Sequence, residues 1–403
     1  MRNWVSRLFS LAPPAALLCA VGAAPASAAT CESLTGLALP QVTITAAQSI
    51  PAGTFTAPGG QRFADLPAFC RVSAFATPTP KSHIGFEVWM PASGWNQKFE
   101  GNGSGGSAGA IGYAPMANAL KHNFATIATD NGHIGSSWTF ADPPERIVDF
   151  GGRALHLSTI AGKAITAAFY GAAAKGSYYI GCSQGGHHGL MEAQRFDPLK
   201  FDFDKDVQYA DIKEAAEGKT WAEALSADNP DLSAFKARGG KLIVYHGFAD
   251  PFVTPYGILS YYAAVVDAMK KGGKDGLGET RDFARLFMAP GLNHCSGGPG
   301  ANVFNGATRG APEDPDHDVF LALSRWVETG APPNRIVATK FNNDKPGDGV
   351  AFTRPLCPYP EVAKYKGSGD PNSAASFACV AALTGGSTPK YSDIIAPRRT
   401  GPR

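Results

Sequence analysis

Three residues stand where acyl-transfer chemistry would need them. Ser183 sits in Gly181-Cys182-Ser183-Gln184-Gly185, after the β-like run Ser177–Ile180 and ahead of a helical stretch from Gly186 to Arg195. That strand–turn–helix setting is the one in which G-x-S-x-G exposes a nucleophilic serine. Asp250 follows the strongest apolar strand signal in the chain, Lys241–Tyr245, and His294 follows a second strand, Ala284–Met288. The order serine, acid, histidine, each just past a strand, is the order an esterase of this kind requires. His294 would take the proton from Ser183, Asp250 would orient and stabilise the imidazolium, and the serine would attack an ester carbonyl. Singly, each has a plain alternative: a helix-capping serine, a turn aspartate before Pro251, a loop histidine within Gly291–Gly298. The joint placement carries the reading. The developing oxyanion needs backbone donors. Gln184, directly after the serine, supplies one, and Gly105 or Gly106 in the glycine-rich stretch Gly101–Gly109 is the candidate for the second.

Other motifs lead elsewhere and are set aside. Gly101, Gly103 and Gly106 spell G-x-G-x-x-G, but no ribose-binding acid on a following strand accompanies them, so a dinucleotide is not expected. Asp202, Asp204 and Asp206 imitate the start of a calcium loop, yet Val207 and Lys213 replace the glycine and glutamate that such a loop needs. His187 and His188 are adjacent on a helix, where neighbours face different ways. No metal and no cofactor are expected.

The elements around these residues read as an α/β chain. Short strands separated by Gly and Pro fill the region from Cys31 to Pro80, followed by Ile84–Met90 and Ala125–Thr129. A helix is expected from Glu145 to Tyr170, and others over Ile258–Lys270 and Val319–Gly330, with a loop-rich tail from Ala331. Strands alternating with helices imply a mostly parallel sheet covered on both faces.

Arg2 and Arg7, the apolar run Leu8–Ala24 and the small residues Ala26-Ser27-Ala28 read as a cleaved signal peptide over 1–28. Residues 29–403 then form one catalytic domain that is exported. The chain carries 36 Lys and Arg against 34 Asp and Glu, a net charge of +2. With both signs dispersed, neither nucleic acid nor a membrane is an expected partner. Without Cys19 in the leader, Cys31, Cys70, Cys182, Cys295, Cys357 and Cys379 remain, an even set that favours disulfides in an exported protein. Sequence spacing alone does not choose among the pairings.

Cys182-Ser183, Asp250 and His294-Cys295 resemble the CS–D–HC arrangement of the tannase and feruloyl esterase family, which includes the hydrolase of mono(hydroxyethyl) terephthalate. Ala128–His133, Ile147–Gly151, Tyr245–Pro251 and Arg354–Pro360 extend the likeness over most of the mature chain. The resemblance implies an α/β-hydrolase core and a small aromatic ester as substrate, a feruloyl, galloyl or related compound. It also implies the disulfides Cys182–Cys295, Cys31–Cys70 and Cys357–Cys379. In the family a further core strand and a lid domain with its calcium site follow the serine's helix. Here the chain runs from Arg195-Phe196 directly to Phe201-Asp-Phe-Asp-Lys-Asp206. The expectation is therefore a lidless member, its insertion deleted near 196–201, either an active esterase or a catalytically impaired remnant that at most binds ligand.

Overall fold

The computed structural model describes residues 29–135, 145–195, 227–270, 275–305, 310 and 312–382. The leader, the Asp202, Asp204 and Asp206 run and the expected lid junction near 196–201 lie outside the described residues.

The strands that position the site come first in the chain: β1 (Val42–Ile50), β4 (Phe69–Ala76), β5 (Ile84–Pro91), β6 (Lys98–Asn102), β7 (Ala125–Thr129) and β8 (Gly176–Ile180). They form one sheet in the order β1-β4-β5-β7-β6-β8, while the short hairpin β2 (Gly53–Thr56) and β3 (Arg62–Leu66) pairs separately. The sheet is mixed. β1, β4, β5 and β7 run antiparallel, and β7, β6 and β8 run parallel. The parallel strands β6 and β8 end side by side at Asn102 and Ile180, where the glycine-rich stretch and the Ser183 turn begin.

Alternation along the central strands builds two cores. Phe86, Val88 and Met90 of β5 and Ala125 and Ile127 of β7 join one cluster with Ala161 and Ile165 of α3 (Ala154–Tyr170). Trp89 and Ala128, on the opposite face, join Phe69 with Met116 and Leu120 of α1 (Tyr113–Lys121). Every residue of β7 is buried, as expected of a strand covered on both faces. The helix expected from Glu145 to Tyr170 is interrupted. α2 (Glu145–Val148) and α3 are joined by a π turn, Asp149–Arg153, a device that often marks functional regions. The turn carries Asp149, fully buried, which accepts from Ser82 Oγ at 2.7 Å and Arg153 Nε at 2.5 Å.

After α4 (Gln184–Arg195) and α5 (Ser233–Ala237) come β9 (Leu242–Gly247), α6 (Pro255–Met269), α7 (Gly276–Arg281) and β10 (Ala284–Ala289). β9 and β10 form a parallel pair of their own. Among the described residues no strand bridges β8 to β9. The run with the strongest buried-strand signal in the sequence is consequently only half-buried from Leu242 to His246, whereas β10 is fully buried.

Beyond α8 (Val319–Thr329) the tail departs from the loop-rich expectation. It holds two antiparallel hairpins, β11 (Ile336–Phe341) with β12 (Val350–Leu356), and β13 (Glu361–Tyr365) with β14 (Phe377–Ala381). β13 is mostly exposed, so it lacks the apolar alternation by which a strand is read. The Tyr359 amide donates to Leu286 O at 2.7 Å and ties this tail to β10.

Candidate active site

Ser183 is lifted out of the turn after β8 by a left-handed backbone, φ 58°. Non-glycine residues adopt that conformation only when their surroundings enforce it. The surroundings here are glycines at van der Waals limits. A Cβ on Gly181 would lie 2.5 Å from the Gly185 carbonyl carbon, and one on Gly103 would lie 2.6 Å from Gly185 Cα. The two glycines of G-x-S-x-G therefore let the turn close on itself and let the glycine-rich loop reach it. The Tyr179 hydroxyl donates to Gly185 O at 2.9 Å and the Gly185 amide to Cys182 O at 3.0 Å.

Asp250 is almost fully used by its partners. Its Oδ1 accepts from the amides of Phe252 and Val253 at 2.9 and 3.0 Å, and its Oδ2 accepts from His294 Nδ1 at 2.8 Å. Burial pushes its pKa up, but the Val253 amide, His294 and the Phe252 amide outweigh this and hold the carboxyl below the usual Asp range. His246 sits beside the same turn, its Nε2 donating to Val253 O at 3.1 Å and lying 3.7 Å from Asp250 Oδ2. The next residue after His294 is Cys295, also left-handed at φ 62°. It is bonded to Cys182 with the Cα atoms 6.0 Å apart. The other two disulfides are Cys31–Cys70 and Cys357–Cys379. All three pairings are those that the resemblance implies.

The structure thus joins Asp250 to His294 and ties the neighbours of Ser183 and His294 together. It does not hydrogen-bond Ser183 to His294 among the described residues. The ring of Phe252, 80% exposed, stands edge-on to His294 at 5.5 Å.

The candidate oxyanion donors have not been spent elsewhere. The amides of Gln184, Gly105 and Gly106 donate to no group among the described residues, as the first amides of a helix and the amides of an anion-binding loop should. Gly103 and Ser104, rather than Gly105 and Gly106, make the close approach to the serine turn: a Cβ on Gly185 would meet Ser104 O at 2.7 Å, whereas Gly105 and Gly106 face open space. His187 and His188 do not face different ways. Their rings, 5.7 Å apart, bracket the Gln184 side-chain amide, with His187 Nδ1 at 3.1 Å and His188 Nε2 at 3.0 Å.

Two carboxyls under this region are poised to make stability depend on pH. Asp130 follows β7, and its Oδ1 accepts from the amides of Gly85 and Gly132; burial dominates and raises its pKa to about 7. Glu100, on β6, is raised by burial to about 8 despite its bond with Asn102, and nearby Asp318 adds to the rise. In the unfolded chain both ionise near about 4. The folded state therefore holds the extra protons, and their stabilisation is lost as pH rises toward 7 for Asp130 and 8 for Glu100. Asp130→Asn keeps the Oδ1 acceptor and removes the titration. Its urea midpoint relative to wild type is expected to improve as pH rises from about 4 to about 7, and a difference that stays flat with pH overturns the assignment.

A family model described as tannase and feruloyl esterase matches residues 70–204 and 198–380. The chain belongs to this family. The family match falls in two pieces that overlap at 198–204, shortly after the serine's helix ends at Arg195. An uncharacterised esterase of Xanthomonas campestris is 31% identical over 542 residues, covering 90% of this chain and 94% of that relative. A probable feruloyl esterase B-1 of Aspergillus fumigatus is 26% identical over 461 residues, 77% of this chain and 86% of its own length. Among solved structures, feruloyl esterase B from Aspergillus oryzae superposes with a TM-score of 0.73 at 23% identity, over 87% of this chain and 99% of that one. The tannin acyl hydrolase from Aspergillus niger gives 0.61 at 15% identity, over 85% and 92%. These similarities establish the shared α/β-hydrolase-like fold.

Within a tannase and feruloyl esterase frame, several residues gain roles that sequence reasoning passed over. His246 and the Phe252 and Val253 amides fix the turn of the acid. Ser104, Asn131 and His133 belong to the glycine-rich loop and its support. The sequence signal for the last two is their place in Asp130-Asn131-Gly132-His133, which reads as the stop after a strand and as part of the family likeness, with no role attached to either residue.

Proposed function

We propose that this chain is an exported serine carboxylic-ester hydrolase that cleaves esters of hydroxylated aromatic acids, feruloyl, galloyl or related, through an acyl-enzyme. Ser183 attacks the carbonyl, His294 Nε2 accepts its proton and later returns it to the leaving alcohol, and Asp250 holds His294 through Nδ1. The amides of Gln184 and of the Gly105–Gly106 segment receive the oxyanion. Water then repeats the sequence on the acyl-enzyme. The single observation that carries this reading is the 2.8 Å bond from His294 Nδ1 to Asp250 Oδ2, delivered next to the serine turn by Cys182–Cys295. Family membership supports the ester class, and three disulfides support an oxidising compartment. We read the chain as lacking the lid: the family match breaks near 198–204, and the Xanthomonas alignment is longer than this chain's 403 residues. The test is turnover of p-nitrophenyl acetate and methyl ferulate by purified protein beside Ser183→Ala. Turnover no higher than that variant's on any ester overturns the proposal.

A second reading, a catalytically impaired remnant, is favoured by the open link between Ser183 and His294. Labelling by a fluorophosphonate decides between the two. An activated serine reacts covalently, and a capping serine does not.

A further inference from the structure

The glycine-rich loop poses a physical problem. Gly105 and Gly106 have no side chains, and nothing lies within 4 Å of where their Cβ atoms would be, so apart from one turn bond, the Ala108 amide to Gly105 O at 3.2 Å, the loop does not set its own shape. Glycine-rich backbone loses much entropy on ordering, yet an oxyanion donor is effective only when it is already in place. Something outside the loop must hold it.

The turn after β7 does so. Asn131 is 2% exposed, left-handed at φ 58°, and aims its side chain at the loop. Its Nδ2 donates to Ser104 Oγ at 2.7 Å and to Ala108 O at 2.9 Å. A carbonyl oxygen only accepts, so the bond to Ala108 fixes which end of the amide faces the loop. His133 Nε2 donates to Ser107 O at 2.9 Å, and Gly109 and Gly135 exchange two backbone bonds. At its other end the loop is pinned to the serine's strand by the Gly103 amide, which donates to Ile180 O at 2.9 Å. Asn131 thus spans the loop on both sides of Gly105-Gly106 with the two hydrogens of one amide. No other side chain among the described residues bonds both flanks.

We propose that Asn131 is a positioning residue that sets the oxyanion loop by bonding Ser104 and Ala108 across Gly105-Gly106. The inference rests on the esterase reading of Ser183. Asn131 touches no reacting atom; it acts through the loop, so its loss belongs in kcat rather than in KM.

Asn131→Gly removes the amide while allowing the left-handed backbone, and Asn131→Asp keeps the shape but presents oxygens that cannot donate. Both are expected to lower kcat on p-nitrophenyl acetate by about 10- to 100-fold with KM within about two-fold, less than the loss of a whole oxyanion donor. Hydrogen exchange over 103–109 should quicken in both variants, while exchange over the Cys31–Cys70 half of the sheet stays as in wild type. Ser104→Ala should cost less, and adding it to Asn131→Gly should cost little more, because the two remove one bond. Unchanged exchange over 103–109 overturns the clamp, and quickened exchange with unchanged kcat overturns the positioning role. A wild-type protein without turnover or fluorophosphonate labelling defeats the esterase reading and the positioning role with it, and the exchange experiment shows separately whether the clamp stands.

Discussion

Asp250→Asn is expected to reduce kcat by about 10³- to 10⁴-fold while leaving a folded protein, because it reverses one hydrogen bond rather than removing a side chain. In the native turn the carboxylate divides its work. Oδ1 serves the amides of Phe252 and Val253, and Oδ2 serves His294 Nδ1. An asparagine can keep its oxygen on the two amides, but its NH₂ then faces His294 Nδ1. Two donors cannot bond, so the imidazole must carry its proton on Nε2, the atom that has to accept from Ser183. If the amide turns over instead, His294 regains an acceptor while the Phe252 and Val253 amides confront a donor, and the turn that aims the acid opens. Each arrangement fails, and the carboxylate charge that stabilises the imidazolium is missing from both. Fluorophosphonate labelling should slow in parallel with turnover, since both need the same base. A loss below about 10-fold would remove Asp250 from the mechanism. The stability difference supplies an independent check with a definite sign. Asp250 is held below the ordinary carboxylate pKa, so its ionised form contributes stability above the usual Asp range, and that contribution vanishes as pH falls through the folded value. Wild type and Asp250→Asn should therefore converge in urea midpoint toward acid pH.

The reach of the sequence follows the reach of its interactions. Ser183, Asp250 and His294 are legible as candidates because each lies a few residues past a strand, and strand ends are local patterns. The support of the site was not. Asn131 meets Ser104 and Ala108 at separations of 27 and 23 residues, and His133 meets Ser107 at 26. Those contacts exist only because β6 and β7 lie side by side and parallel, a pairing that no local pattern specifies. β9 shows the opposite limit. Its apolar run reads as a buried central strand, yet the same residues are half-buried because one edge has no strand partner among the described residues. Hydrophobicity reports what a strand could bury, and topology decides what it does bury. The tail hairpins are missed for a related reason: β14 is stapled through Cys357–Cys379 to the segment ahead of β13, and β13 pairs with β14 while showing most of its side chains to solvent.

That unpaired edge gives Cys182–Cys295 an importance beyond its chain entropy. The bridge closes 113 residues, against 39 for Cys31–Cys70 and 22 for Cys357–Cys379. Loop-closure entropy alone ranks their removal at about 5, 4 and 3 kcal/mol. Stability measurements on the three double alanine variants should follow that order. Catalysis should not follow it. β8 carries the serine, β9 and β10 carry the acid and the histidine, and no ladder of backbone hydrogen bonds joins the two sets among the described residues. In a continuous sheet that ladder would fix the distance between nucleophile and base. Here the covalent link between the residue before Ser183 and the residue after His294 takes over the task, and an error of about 1 Å in that distance is worth about 100-fold in rate. Cys182→Ala/Cys295→Ala is therefore expected to lose about 100- to 1,000-fold in kcat, assayed in stabilising osmolyte where it remains folded. Cys357→Ala/Cys379→Ala, despite its own stability loss, should keep kcat within about two-fold, because the segment it ties bonds β10 at Leu286 and Phe287, short of the His294 loop. Equal turnover in wild type and the folded Cys182→Ala/Cys295→Ala variant would show that packing of α4 and the His294 loop holds the site together without the bridge.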